Sequence, residues 1–365
     1  MNQQLTKTEI LDWLREENPQ RLEELWRRAD ATRRLQVGDA VHLRGLVEIS
    51  NHCVRECAYC GLRAGHETLV RYRMEVDEIV EAARQAVKFG YGTVVLQAGE
   101  DYGIKTDWMS GVIRQIKGET PLAVTLSLGE RLDKDLAAWR KAGADRYLLR
   151  FETSDRALFN AIHPPLGHHP CDRISILRRL KQLGFETGSG VMVGIPGQTF
   201  DSLANDIALF RELDLDMIGI GPFIPHPATP LGSGFKNFPP VNDELVPNSE
   251  MMVYKAVALT RLVCPDANIP ATTALATINK RNGRELGLQR GANVFMPNLT
   301  PLKYRRLYEI YPAKACIEET GNACNNCLTL RIRKIGRHIG NGPGGRRQRA
   351  AIPTPQPQPE EFCHA

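Results

Sequence analysis

VHLRGLVEISNHCVRECAYC, residues 41–60, runs a strand-like apolar segment straight into a loop that carries Cys53, Cys57 and Cys60. The three thiols are separated by three and then two residues. Three thiolates on one short loop can wrap a corner of a cubic iron-sulfur cluster; since such a cluster has four irons, one iron keeps no protein ligand. An open coordination position is where metal sites do chemistry, whereas structural sites close all of theirs. The competing reading is a zinc clip completed by His66. Structural zinc usually draws paired ligands from two segments, and here all three thiols sit on one.

Outward from this stretch, short apolar runs alternate with amphipathic helical patterns, the signature of repeated beta-alpha units and a parallel sheet. Strands are expected at 41–49, 93–98, 122–128, 146–152, 187–195, 217–223, 268–274 and 292–297. Between the first two, VDEIVEAARQAVKFG alternates apolar and charged faces and ends at Gly90, as a helix C-terminus often does. Eight strands predict an α/β fold, a TIM-like (β/α)8 barrel over residues 41–300. Residues 1–40 predict an N-terminal helical cover, helical over 6–36, opening with a capping box from Thr6 to Glu9. Residues 301–340 carry a second triplet, Cys316, Cys324 and Cys327, and 341–365 are rich in glycine, proline and glutamine, which predicts a disordered tail.

In a barrel of this kind the active site is built from loops at the C-terminal ends of the strands. Besides the cysteine loop, those points carry Gln97, Gly99 and Glu100 after the second strand, Ser127 after the third, and Arg150 and Glu152 on the fourth. Each alone reads as a strand-end cap or salt bridge; together they outline a polar mouth. Nine cysteines, an odd number grouped as two triplets and three singles, suit metal binding in a reducing compartment better than disulfides. Cys171 and Cys264 read as buried small hydrophobes or surface thiols, and Cys363 lies in the tail. No apolar run is long enough to span a bilayer and the first residues lack a secretory pattern, so a cytoplasmic protein with no membrane contact is expected. The net charge of +5 traces to Arg331, Arg333, Lys334, Arg337, Arg346, Arg347 and Arg349. These read as an ordinary solvated end rather than a nucleic-acid surface.

The CxxxCxxC pattern with Tyr59 before its third cysteine resembles the radical S-adenosylmethionine (SAM) superfamily. Within it, SNHCVRECAYCGLR, RYRM, TVVLQAGED, VTLSLGE, AGADRYLLRFET, GIPGQT, DMIGIGPFIPHPATP, NIPATTA and GANVFMPN are similar to the HydE maturase family of FeFe-hydrogenases, over roughly residues 40–340. The resemblance implies a 4Fe-4S cluster on Cys53, Cys57 and Cys60 that cleaves SAM to methionine and a 5'-deoxyadenosyl radical. It also implies a SAM pocket of Tyr59, Gln97, Gly99, Glu100, Ser127, Arg150, Glu152 and Arg173, in which arginine forks suit the carboxylate and acidic groups suit ammonium and ribose. Met217, Thr272, Thr273, Tyr308 and Tyr311 would line the substrate cavity; packing roles are the alternative for Met217 and the tyrosines. The same resemblance implies a second cluster, 2Fe-2S or 4Fe-4S, on Cys316, Cys324 and Cys327, although a structural clip or an empty site fits that loose spacing too. The implied substrate is a small organometallic unit, cysteine-bound iron with carbon monoxide and cyanide. The implied partners are two sister maturases, a radical SAM tyrosine lyase and a GTPase scaffold, and an external low-potential reductant. Rival readings are a methylornithine synthase-like or biotin synthase-like enzyme, and a noncatalytic iron-sulfur scaffold or electron carrier.

Overall fold

The computed structural model describes residues 5–167, 172–234, 244–315 and 321–346, with side chains in the last stretch from Cys327 onward. The quoted segment forms the longest strand, β1 (Ala40–Ser50), buried from Leu43 to its end. Continuous burial is what a parallel strand covered on both faces requires. It is followed by β2 (Thr93–Ala98), β3 (Ala123–Ser127), β4 (Arg146–Leu148), β5 (Glu186–Val193) and β6 (Met217–Pro222), then by β7 (Val294–Phe295) and β8 (His338–Ile339). Pairing is parallel throughout, in the order β6-β5-β4-β3-β2-β1-β7, with β8 added beside Ala40 and Val41.

The strand expected at 268–274 is reduced to two isolated bridges, Asn268 with Met217 and Pro270 with Val294. Pro270 has no N–H to give a ladder, and Thr272 ends the extended stretch by capping the helix Thr273–Ile278. These bridges stitch the seam between β6 and β7, so the curled sheet runs as a TIM-like ring.

The single helical region expected at 6–36 is two helices, Lys7–Arg15 and Pro19–Val37. Asn18 breaks it: its side chain accepts from the Gln20 and Arg21 amides (2.9 and 3.2 Å), and Pro19 sits at the first helical position. The Thr6–Glu9 capping box is present. These helices pack on Phe200–Glu212 and Glu250–Val263, covering the outside of the ring.

At the N-terminal ends of the strands, the floor of the ring, the composition-based reading needs correction. Residues 341–346 do not trail away but cross this floor. Gly344 O accepts from Arg44 Nη2 (3.0 Å) and Asn268 Nδ2 (3.1 Å), and Pro343 O from Thr93 Oγ1 (3.0 Å) and Arg146 Nη2 (3.2 Å). The approach is so close that a Cβ on Gly92 would overlap the carbonyl of Gly342. Arg333 and Lys334 are exposed as expected, but three other basic residues are engaged. Arg346 is clasped by Asp214, Asp216 and Asp266 (2.7, 3.1 and 2.9 Å), and Arg337 donates to Leu288 O and Ala292 O (both 3.0 Å). Arg331 bonds Glu285. Residues 347–365 lie outside the described residues. No helix among those described is long and apolar enough to cross a membrane.

Candidate functional site

The cysteine loop leaves β1 at a bulge between Glu48 and Ser50, which turns the chain across the mouth of the ring. Its backbone is tied to four distant segments: Val54 N to Glu100 O (3.0 Å), Ala58 N to Ile162 O (2.8 Å), Leu231 N to Ala58 O (3.0 Å) and Gly61 N to Ile310 O (3.0 Å). Arg71 grips it from outside, donating to the carbonyls of Asn51 (2.6 Å), Leu62 (2.8 Å) and Arg63 (2.7 Å). Gly99 lets β2 pass close beneath, since a Cβ there would overlap His52 O and come within 2.9 Å of Cys53 Cβ.

Burial raises the pKa of all three thiols, that of Cys60 to about 12, and Cys57 and Cys60 are pushed further by the thiol charges beside them. Three thiolates in such a place need a cation. Among the described residues no three His, Cys, Asp or Glu side chains converge on a single ion position, as the zinc clip would require. His66 Nδ1 is engaged with Gly61 O (2.6 Å). Thiols that each serve a different iron of one cluster do not need that convergence, so the donor set fits a cluster with an open corner.

Inside the loop lies a buried network of charge. Glu100 Oε1 accepts from Arg55 Nε (2.7 Å) and from the Tyr102 hydroxyl (3.0 Å), and Glu100 Oε2 from the Glu130 amide (3.1 Å). Glu130 in turn holds Arg55 (2.8 Å) and Arg173 (2.9 Å). Arg173 also donates to Arg150 O (2.6 Å) and to His163 Nε2. Burial and the Arg173 charge push His163 down to about 2, so it is a neutral acceptor. Arg150 pairs with Glu152 (3.0 Å) and donates to Val191 O (2.6 Å). Glu152 adopts φ 62°, a conformation that costs about 1–3 kcal/mol in a non-glycine residue and clusters at functional sites. The Tyr59 hydroxyl lies in the field of Cys57, Glu152 and Arg173.

The structure therefore gathers Cys53, Cys57, Tyr59, Cys60, Gly99, Glu100, Arg150, Glu152 and Arg173 around one mouth. Gln97 and Ser127 stand side by side at the ends of β2 and β3, and burial drives the Tyr308 hydroxyl to high pKa. Met217 sits apart, at the floor end of β6, with its sulfur 2.9 Å from Arg44 Nη1. Thr272 Oγ1 donates to Ile220 O (3.2 Å), Thr273 Oγ1 accepts from Arg284 Nη2 (3.2 Å), and burial raises the Tyr311 hydroxyl pKa. Cys316 lies outside the described residues, as does the side chain of Cys324, and Cys327 is exposed on the helix Gly321–Lys334. Of the single cysteines, Cys264 is buried.

Sequence reasoning did not single out Arg55, Glu130 and His163, nor the buried pair of Glu48 with Lys314, which Asn298 Nδ2 (3.0 Å) and Thr300 Oγ1 (3.3 Å) complete. The available signal was Arg44 and Glu48 on one face of an otherwise apolar central strand.

The family model described as the radical SAM superfamily matches residues 47–210. The chain is 48% identical over 326 residues to the [FeFe] hydrogenase maturase subunit HydE of Thermotoga maritima, covering 89% of each chain. It is 28% identical over 293 residues to the 3-methylornithine synthase of Methanosarcina acetivorans, covering 80% and 79%. Among solved structures, methylornithine synthase shares the fold with a TM-score of 0.77 at 23% identity, covering 93% and 95% of the two chains. The maturase HydG from Carboxydothermus hydrogenoformans does so at 0.71 and 18%, covering 91% and 75%.

Proposed function

The chain belongs to the radical SAM superfamily, and from that premise we propose that it is a maturase of [FeFe]-hydrogenase acting on a cysteine-bound iron carbonyl and cyanide precursor of the diiron subsite. Bound together, a 4Fe-4S cluster and SAM supply one-electron cleavage of the sulfonium to methionine and a 5'-deoxyadenosyl radical. The observation that carries the reading is the conjunction at one mouth: three thiols on one loop, beside a buried carboxylate and guanidinium network. A noncatalytic carrier has no use for that network.

This chain's residues bind, orient and exclude water. Cys53, Cys57 and Cys60 would hold the cluster, and the open iron would face the pocket of Gly99, Glu100, Ser127, Arg150, Glu152 and Arg173. Tyr59 stands beside the Cys57 thiol, and its effect there favours the thiolate. Below, Tyr308 and the buried Glu48–Lys314 pair, which Asn298 and Thr300 complete, form a polar wall. The segment 341–346 closes the floor, which keeps solvent from a reactive radical. A second cluster on Cys316, Cys324 and Cys327 and assembly with sister maturases belong to the same reading.

The test is anaerobic reconstitution with iron and sulfide, followed by dithionite and SAM. Release of 5'-deoxyadenosine is expected; release no greater than that of Cys57→Ala overturns the radical reading. Release that is unchanged by the cysteine-bound iron precursor overturns only the choice of substrate.

A further inference from the structure

Glu130 joins two guanidiniums that belong to different parts of the mouth, Arg55 on the cysteine loop and Arg173 at the head of the helix Arg173–Gln182. Both arginines are buried, and Glu130 is itself only 11% exposed. Around it the fixed charges cancel: Arg55 and Arg173 against Glu100 and Glu130, and Arg150 against Glu152. Removing the Glu130 charge takes from Arg173 the carboxylate it pairs with and from Arg55 one of two, in a place that water barely reaches. An uncompensated buried charge acts over the whole of such a pocket, because little dielectric screens it.

We propose that Glu130 is a positioning and specificity-determining residue that keeps the pocket electroneutral, so that it selects a cationic sulfonium over the neutral thioether of the same skeleton. The inference rests on SAM being the ligand of this pocket. SAM and S-adenosylhomocysteine share adenosine, ammonium and carboxylate and differ at sulfur, where one carries a positive charge. Glu130 does two things at once. Its Oε1 fixes the Arg173 fork and its Oε2 fixes Arg55, which in turn holds Glu100 by 2.7 Å. Geometry alone would serve both ligands equally. Charge balance serves only the cation.

The experiment is equilibrium binding of SAM and of S-adenosylhomocysteine to the cluster-loaded protein by calorimetry, with the shift in the cluster's electron paramagnetic resonance on SAM binding as a second readout. Glu130→Gln keeps the size and one acceptor and removes the charge. It should weaken SAM about tenfold, and S-adenosylhomocysteine less than about threefold. Glu130→Asp, which keeps the charge, should retain the preference for SAM even where both ligands bind less well. The double variant Arg55→Gln/Glu130→Gln restores the balance of charge and should recover the preference lost in Glu130→Gln. Equal weakening of both ligands by Glu130→Gln, or loss of the preference in Glu130→Asp, overturns the proposal. Should Glu130→Gln fail to fold, the Asp variant and the double variant decide. Wild-type protein that binds neither ligand would instead count against SAM as the ligand.

Discussion

The two cysteine triplets differ in what surrounds them more than in their spacing. The loop of Cys53, Cys57 and Cys60 is pinned by backbone bonds to residues 100, 162, 231 and 310 and by the three-carbonyl grip of Arg71. In the C-terminal triplet, the thiol the structure describes, Cys327, is exposed on a helix whose neighbouring Arg331 is turned to Glu285. A cysteine motif states which atoms can ligate, while the fold decides whether they are held apart from water and at what cost. Buried, high-pKa thiols around one mouth gain from a cationic cluster; an exposed thiol gains little.

The sharpest way to break this contrast is at the first loop. Cys60→Ser should lower 5'-deoxyadenosine formation by about a hundredfold or more, since the ligand set falls to two. Retained turnover would mean that the loop does not carry the reactive cluster. Next in size, Arg71→Ala strips three carbonyls of their partner and should cost about 3 kcal/mol in thermal unfolding, with reduced iron content after reconstitution. An unchanged melting curve would show that the grip is incidental. Gly99→Ala forces a methyl against His52 and Cys53 and should cost about 2 kcal/mol, with weaker cluster loading. Smallest of all, Cys327→Ser should leave 5'-deoxyadenosine formation within about twofold of wild type, as exposed substitutions usually do. If Cys327→Ser matched Cys60→Ser, the two triplets would be one functional unit.

Much of the ring could be read in the chain, because parallel strands covered on both sides are uninterrupted apolar runs and their ends are fixed by the loops between them. TVVLQA is bounded in the structure as it is in the sequence. NIPATTA misled, because its composition suits a strand while Pro270 and Thr272 act as terminators. The mouth residues were legible where they sat at strand ends. Glu130 and His163 were not, since each acquires meaning only from partners on separate segments, Glu130 from Arg55 and Arg173 and His163 from Arg173. Glu48 and Lys314, 266 positions apart, share no local pattern. Arg346 looked solvated because sequence shows its charge but not the carboxylates Asp214, Asp216 and Asp266 that meet it.

The segment 341–346 reaches back 300 positions to Arg44, so the last described residues finish what the first strand begins. Contacts that distant form late, after the cost of closing a long loop has been met. Without that segment Arg44 and Arg146 would each lose a carbonyl acceptor, and the bottom of the ring would stand open like a vessel without its plug.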